Sequence, residues 1–313
     1  MTTVLVTGGA GFIGSHIVDA LVASRRHKVR VLDNFSTGRH ENLQNVGDRI
    51  ELLEGDVRGQ TTCEQAVEGV DAVLHQAALP SVARSIADPV VTDEVNVLGS
   101  LNLLVAAQRA GVRRFVFASS SSIYGDSDEL PKHEGMVPNP KSPYAVSKLA
   151  AEHYCGVFHA LHGLETVALR YFNVFGPRQD PSSQYSGVIA LFCTSALAGE
   201  PYAVFGDGSQ TRDFTYIDNV VRANLLAVEK PDVGGAVLNV ACGVRTSLND
   251  MIAVLNGLVG RELPAQYGPP RAGDVAHSAA SLERVQSVLG FAPTVDFADG
   301  LRRTFDWYRR AAV

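Results

Sequence analysis

Three observations predict an α/β chain with a doubly wound parallel sheet and a smaller C-terminal α/β lobe. Short apolar runs alternate with amphipathic stretches through the first half. The first run leads directly into a turn with glycines at 8, 11 and 14. The alternation loosens after Arg170, where Gly and Pro gather at Gly176-Pro177, Gly206-Asp207-Gly208 and Gly268-Pro269-Pro270. The strand candidates are residues 4–6, 29–33, 50–53, 72–75 and 115–118. They are largely continuous apolar runs, as expected of strands covered on both faces. Helical periodicity fills the gaps, notably at 12–24 and 96–110, and returns near 218–229 and 248–259. The expected division is a sheet domain over 1–170, rejoined by some later segments, and a lobe made mainly of 171–313.

The chain has 313 residues, enough to bury a sizeable core. Its net charge is −6 and it carries no basic run, which argues against a nucleic-acid partner. Cys63, Cys155, Cys193 and Cys242 are scattered through apolar segments with no C-x-x-C. Buried, reduced thiols in a reducing compartment are therefore expected. The histidines are dispersed, so no metal site is expected. The first strand starts by about Thr3, which leaves no room for a signal peptide. No apolar run reads as a membrane span. The expectation is a cytoplasmic protein without membrane contact.

Thr7-Gly8-Gly9-Ala10-Gly11-Phe12-Ile13-Gly14 follows the first strand and opens the first helix. Glycine permits the tight turn and lets backbone N–H groups approach a pyrophosphate at the helix N-terminus. Asp33 ends the second strand, where a carboxylate suits the adenosine ribose hydroxyls and repels a 2′-phosphate. NAD is thus favoured, although nearby Arg39 leaves NADP open. Gly55-Asp56-Val57, after the third strand, fits either an adenine contact or a simple turn.

Ser142-Pro143-Tyr144-Ala145-Val146-Ser147-Lys148 carries the chemistry. Ser142 is a good N-cap and Pro143 suits the first helical position. Tyr144 and Lys148 then stand one turn apart on one face. An ammonium at that range is expected to lower the phenol pKa and make Tyr144 a usable base. The serines at 119–122 end the strand that starts at Phe115, so they lie where ligands bind in such sheets.

These marks together resemble the extended short-chain dehydrogenase/reductases, specifically the NAD-dependent sugar-nucleotide epimerase/dehydratase family. The resemblance spans nearly the whole chain. It also rests on Asp33-Asn34-Phe35-Ser36, His75-Gln76-Ala77-Ala78, Asn96, Leu169-Arg170-Tyr171-Phe172-Asn173, Arg212-Asp213 and Arg271-Ala272-Gly273-Asp274. It implies a Rossmann-type domain. It also implies that NAD is held by Gly8, Gly11, Phe12, Ile13, Gly14, Asp33, Asn34, Asp56, Val57, Gln76, Ala77, Ala78, Asn96, Tyr144, Lys148 and Tyr171. Ser120, four residues before Tyr124-Gly125, is the implied catalytic hydroxyl beside the base Tyr144 and its partner Lys148. Asn173 and Arg212 are the implied diphosphate contacts. Arg212 could instead form a surface ion pair with Asp213. Ser120, Ser121, Ser122, Arg271, Asp274 and Ser278 complete the implied substrate set.

Relatives that eliminate water place Asp-Glu after the catalytic hydroxyl, and decarboxylating relatives keep a Glu. This chain has Ser121 and Ser122 there, and lacks the Cys of the epimerase-reductases. The resemblance therefore implies C4 epimerisation of a UDP-hexose through a transient 4-keto sugar. A large Tyr matching Ser278 marks relatives restricted to UDP-glucose and UDP-galactose. The small Ser278 is similar to the UDP-N-acetylglucosamine type, which often also accepts the non-acetylated sugars. A UDP-glucuronate epimerase, a 4,6-dehydratase-like enzyme and a non-catalytic NAD-binding protein are the alternatives. Homodimerisation through a four-helix bundle is also implied, with Leu103, Leu104, Leu149 and Tyr154 as contacts or core.

Overall fold

The computed structural model describes residues 1–180, 187–270 and 277–311. Seven strands form one parallel sheet: β1 (Thr2–Thr7), β2 (His27–Asp33), β3 (Ile50–Glu54), β4 (Ala72–His75), β5 (Arg114–Ser120), β6 (Glu165–Tyr171) and β7 (Ala236–Val240). Their spatial order is β7-β6-β5-β4-β1-β2-β3. The winding reverses between β1 and β4, and ligands bind beyond the carboxyl ends at such a point. The sequence reading anticipated the first five strands and missed β6 and β7. Arg170 lies inside β6 and Asn239 inside β7, and both are buried.

Strand alternation sends successive side chains to opposite faces. Val4 and Val6 join a core with Ile17, Leu21, Leu74 and Val116. Leu5 points the other way, into a core with Leu32, Val73, Leu103, Phe115 and Phe117. Covering both faces explains why the strand runs are so apolar. Leu103 and Leu104 are 0% exposed, so they belong to this core and form no surface. The exposed apolar side chains of helix Pro143–His162 are Val146, Tyr154, Val157 and Leu161.

One helical run, Pro89–Arg109, has the length and apolar content of a membrane span. That corrects the reading that no such run exists. It is threaded through the fold instead: Asn96, Ser100 and Asn102 are buried and hydrogen-bonded within it or to neighbouring segments. The run contains a π-helical turn, Glu94–Leu98, that carries Asn96.

Among the described residues, three small two-stranded sheets lie in the second half. Val174–Phe175 pairs with Thr215–Tyr216, Thr211–Arg212 with Thr246–Ser247, and Tyr202–Phe205 with Ala265–Gly268. The first two bring Asn173 and Arg212 close to the ends of β5 and β6.

Because Leu103 is core, Leu103→Ala should cost about 2–5 kcal/mol. Urea unfolding would show this at every protein concentration. Unchanged stability would contradict the assignment.

Candidate active site

Two adjoining cavities open at the carboxyl ends of the strands. A narrow trough of about 230 Å³ is lined by Gly8, Gly11, Asp33, Asp56, Gln76, Lys148 and their neighbours. A wider cavity of about 1120 Å³ is lined by Ser120, Asn173, Arg212 and Ser278, among others. Gly11, Phe12, Ser119, Tyr144 and Tyr171 line both.

The trough contains every residue expected to touch the cofactor except Asn96. Helix Phe12–Ser24 begins at Gly11, which has no side chain to cap the first turn. Its leading N–H groups lack intrahelical partners and suit an anion. Gly14 lets the loop close on itself, since a Cβ there would lie 2.1 Å from the Gly8 carbonyl oxygen. The buried Asp33 carboxylate accepts N–H bonds from Ala10 (2.9 Å) and Phe35 (2.8 Å), tying the glycine loop to the end of β2. Arg39 is drawn away to Asp180, at 2.6 Å. With the Arg39 guanidinium paired, an acidic wall of this kind fits NAD. Asn34 donates to Asp56 (2.9 Å), whose carboxyl is held down at about 2, chiefly by hydrogen bonds from Arg58.

Asn96 sits differently from the expectation. It is 1% exposed and does not line the trough. Its amide accepts the Leu79 N–H (2.8 Å) and donates to the Leu79 carbonyl (3.2 Å) and to Ser147 (3.0 Å). It ties the loop after β4 to helix Pro143–His162. The adjacent His75 is bridged between Thr7 (2.6 Å) and Ser100 (2.9 Å). Burial, and then the charge of Lys148, depress His75 to about 3, so it is neutral. Asn224, which the sequence did not flag, reaches in from helix Ile217–Glu229 and donates to the Tyr171 hydroxyl at 2.8 Å.

Helix Pro143–His162 starts as its sequence indicates. The Ser142 hydroxyl accepts the Ala145 N–H at 3.2 Å, and Pro143 is in the first turn. Lys148 is 4% exposed and donates to the Ala118 carbonyl at 2.9 Å. Its amine lies 5.1 Å from the Phe117 ring centre and 6.0 Å from that of Tyr144. Burial pulls it down to about 8, so it is still largely charged at neutral pH. Tyr144 departs from the expectation: its phenol is raised above the usual value, because burial outweighs the lowering by its hydrogen bond with Ser120. The lysine is spent on the carbonyl and does not touch the phenol oxygen.

The wider cavity brings Ser120, Ser121, Ser122, Asn173, Arg212 and Ser278 together. Arg271 and Asp274 lie outside the described residues. Asn173, at φ +34°, donates to the Asp213 carbonyl at 3.1 Å. The Asp213 carboxylate accepts the N–H groups of Cys242 (2.9 Å), Gly243 (2.9 Å) and Ala280 (3.1 Å). It therefore ties its own segment to two others, at 242–243 and at 280. Burial raises it to about 6 against the pull of those bonds. Among the described residues, buried Ser122 Oγ, Ser278 Oγ, Gln179 Oε1 and Arg178 Nη1 have no hydrogen-bond partner, and all four residues line this cavity. Buried polar atoms are normally paired, so the cavity fits a polyhydroxylated, anionic ligand. The carboxylates that line it, Asp126 and Asp180, are engaged by Lys141 and Arg39.

Comparison with known proteins shows which family the chain resembles along its length. A UDP-glucose 4-epimerase from Mycolicibacterium smegmatis is 41% identical over 309 residues, covering 97% of this chain and 98% of the relative. The structure of a UDP-N-acetylglucosamine 4-epimerase from Methanobrevibacter ruminantium, in complex with UDP-N-acetylmuramic acid, superposes with TM-score 0.95 at 38% identity, covering 99% of each chain. A Bacillus cereus UDP-glucuronic acid 4-epimerase, solved with UDP-glucuronic acid and NAD, gives TM-score 0.92 at 32% identity, covering 99% of this chain and 100% of that one. The model of the NAD-dependent epimerase/dehydratase family matches residues 4–241. The chain belongs to that family.

Proposed function

We propose that this protein interconverts C4 epimers of a UDP-hexose: UDP-N-acetylglucosamine with UDP-N-acetylgalactosamine, and UDP-glucose with UDP-galactose. The observation that carries this reading is the meeting of Ser120, Tyr144 and Lys148 at the junction of the two cavities. NAD, when bound in its oxidised form, supplies the hydride acceptor and a positive charge that favours the phenolate. Tyr144 takes the proton of the sugar 4-hydroxyl, and Ser120 holds the 4-oxygen by a hydrogen bond. Lys148 fixes the helix under Tyr144 and keeps a cation near it. Asn173 and Arg212 retain the diphosphate while the 4-keto sugar turns its other face. When the hydride is given back to the opposite face of C4, Tyr144 returns its proton to the 4-oxygen, which completes the inverted alcohol.

Elimination needs a further acid and base. The described carboxylates lining the wider cavity are both committed to ion pairs, and positions 121 and 122 are serines, which supports epimerisation over dehydration. Lys132 and Arg84 also line this cavity, and such cations would suit a sugar carboxylate. UDP-glucuronate therefore belongs in the substrate panel.

Tyr144→Phe should abolish turnover, measured by NMR of the sugar nucleotides, while the purified protein keeps its NAD. Residual turnover at the wild-type rate would remove Tyr144 from the mechanism. Turnover should fall as Lys148 loses its proton, because the cation near the phenolate disappears. In a profile of kcat/KM from about pH 6 to about pH 10, the decline should set in above about pH 8. A rate that climbs unbroken through that range would contradict the assignment. Ser278→Tyr should suppress reaction of the acetamido pair and spare UDP-glucose. Equal loss on both pairs would show that Ser278 does not face the 2-substituent.

A further inference from the structure

Glu152 stands four residues beyond Lys148 and eight beyond Tyr144, on the same face of helix Pro143–His162. Its carboxylate accepts the Ser119 hydroxyl at 2.6 Å. It also accepts Nε (3.1 Å) and Nη2 (2.6 Å) of Arg170. The two side chains of this ion pair are 4% and 5% exposed. The third guanidinium nitrogen donates to the Tyr124 hydroxyl at 2.8 Å, and Tyr124 donates to Asn239 at 2.7 Å. The sheet register places Ser119 beside Arg170 and Arg170 beside Asn239. A polar belt thus crosses β5, β6 and β7 beneath the mouth of the site, clasped from above by Glu152 and Tyr124.

The serine run is pinned at both ends by this belt. Glu152 holds Ser119, and Arg170 holds Tyr124 at the close of the turn Ser121–Tyr124. Ser120 lies between them and accepts the Ser122 N–H at 3.1 Å. A buried ion pair is a poor source of stability, because apolar replacements of similar volume are often neutral or stabilising. The belt needs another explanation, and its position supplies one. We propose that Glu152 and Arg170 are positioning residues, which fix the catalytic helix against the ends of β5 and β6 and so set the distance between Tyr144 and Ser120. This deepens the epimerase reading and rests on it.

The test uses the NAD-bound holoenzyme with Glu152→Met/Arg170→Met, which removes both charges at once, and with Ser119→Ala, which cuts only the hydroxyl link. Both should keep NAD and an unchanged KM for the UDP-hexose. The kcat should fall about 10- to 100-fold in the double variant, the scale of a catalytic group misplaced by about 1 Å, and in the same direction for Ser119→Ala. A folded double variant with wild-type kcat would overturn the proposal. Should the double variant fail to fold, Ser119→Ala decides, and its wild-type kcat would likewise overturn the proposal. An inert wild type would defeat the epimerase reading alone. The proposal would then be read from the Tyr144 titration, followed by phenolate absorbance against the same protein carrying Tyr144→Phe. Loosening Ser120 should move that midpoint up by about half a unit, since a lost hydrogen bond to the phenolate disfavours it. An unmoved midpoint would overturn the proposal.

Discussion

The bond from the Lys148 amine to the Ala118 carbonyl, 2.9 Å long and buried, is the contact on which the site depends. It joins the helix that carries Tyr144 to the strand that ends in Ser120. Ser142 and Pro143 start the helix at a defined residue, and the helical repeat places Tyr144 and Lys148 on one face. Parallel pairing of β5 with β4 and β6 puts the end of that strand beyond the core. The ammonium then closes the gap between the two elements. A lysine used in this way is costly to bury, which explains its depressed pKa.

Burial does opposite things in the two halves of the site. Behind the trough it neutralises His75, and in its wall it leaves the Asp33 carboxylate fastening backbone, so the trough is a fixed surface. In the wider cavity several buried polar atoms lack a partner among the described residues. Three non-glycine residues with positive φ also line it: Ser81 (99°), Asn173 (34°) and Arg178 (67°). Such backbone is held only where the surroundings over-determine it, and it clusters at ligand sites. Strained backbone and unpaired polar atoms thus gather around the wider cavity, while Asp213 anchors the segments behind it.

What the sequence revealed, and what it hid, follows from the range of the interactions. The glycine loop, Asp33 and the Tyr144/Lys148 pair are encoded within a few residues of one another or at strand ends, and spacing alone exposes them. Arg170 and Asn239 interrupt their strands because their partners are distant: Glu152 is 18 residues from Arg170, and Tyr124 is 115 from Asn239. Asn96 carried the right motif, but its amide is consumed by Leu79 and Ser147, which no local pattern discloses. Leu103 and Leu104 share the periodicity of an interface helix, and only packing shows that they are core. The sign of the Tyr144 shift was misread for the same reason, since a charge four residues away is visible in a sequence and desolvation is not.

In the proposed reaction one carbon is oxidised, turned and reduced again within one site. The most direct measurement is conversion of UDP-N-acetylglucosamine or UDP-glucose carrying deuterium at C4, with products followed by NMR in ordinary water. Inversion at C4 with the deuterium kept on that carbon is the expected result. Loss of the label to solvent, or a product deoxygenated at C6, would contradict it.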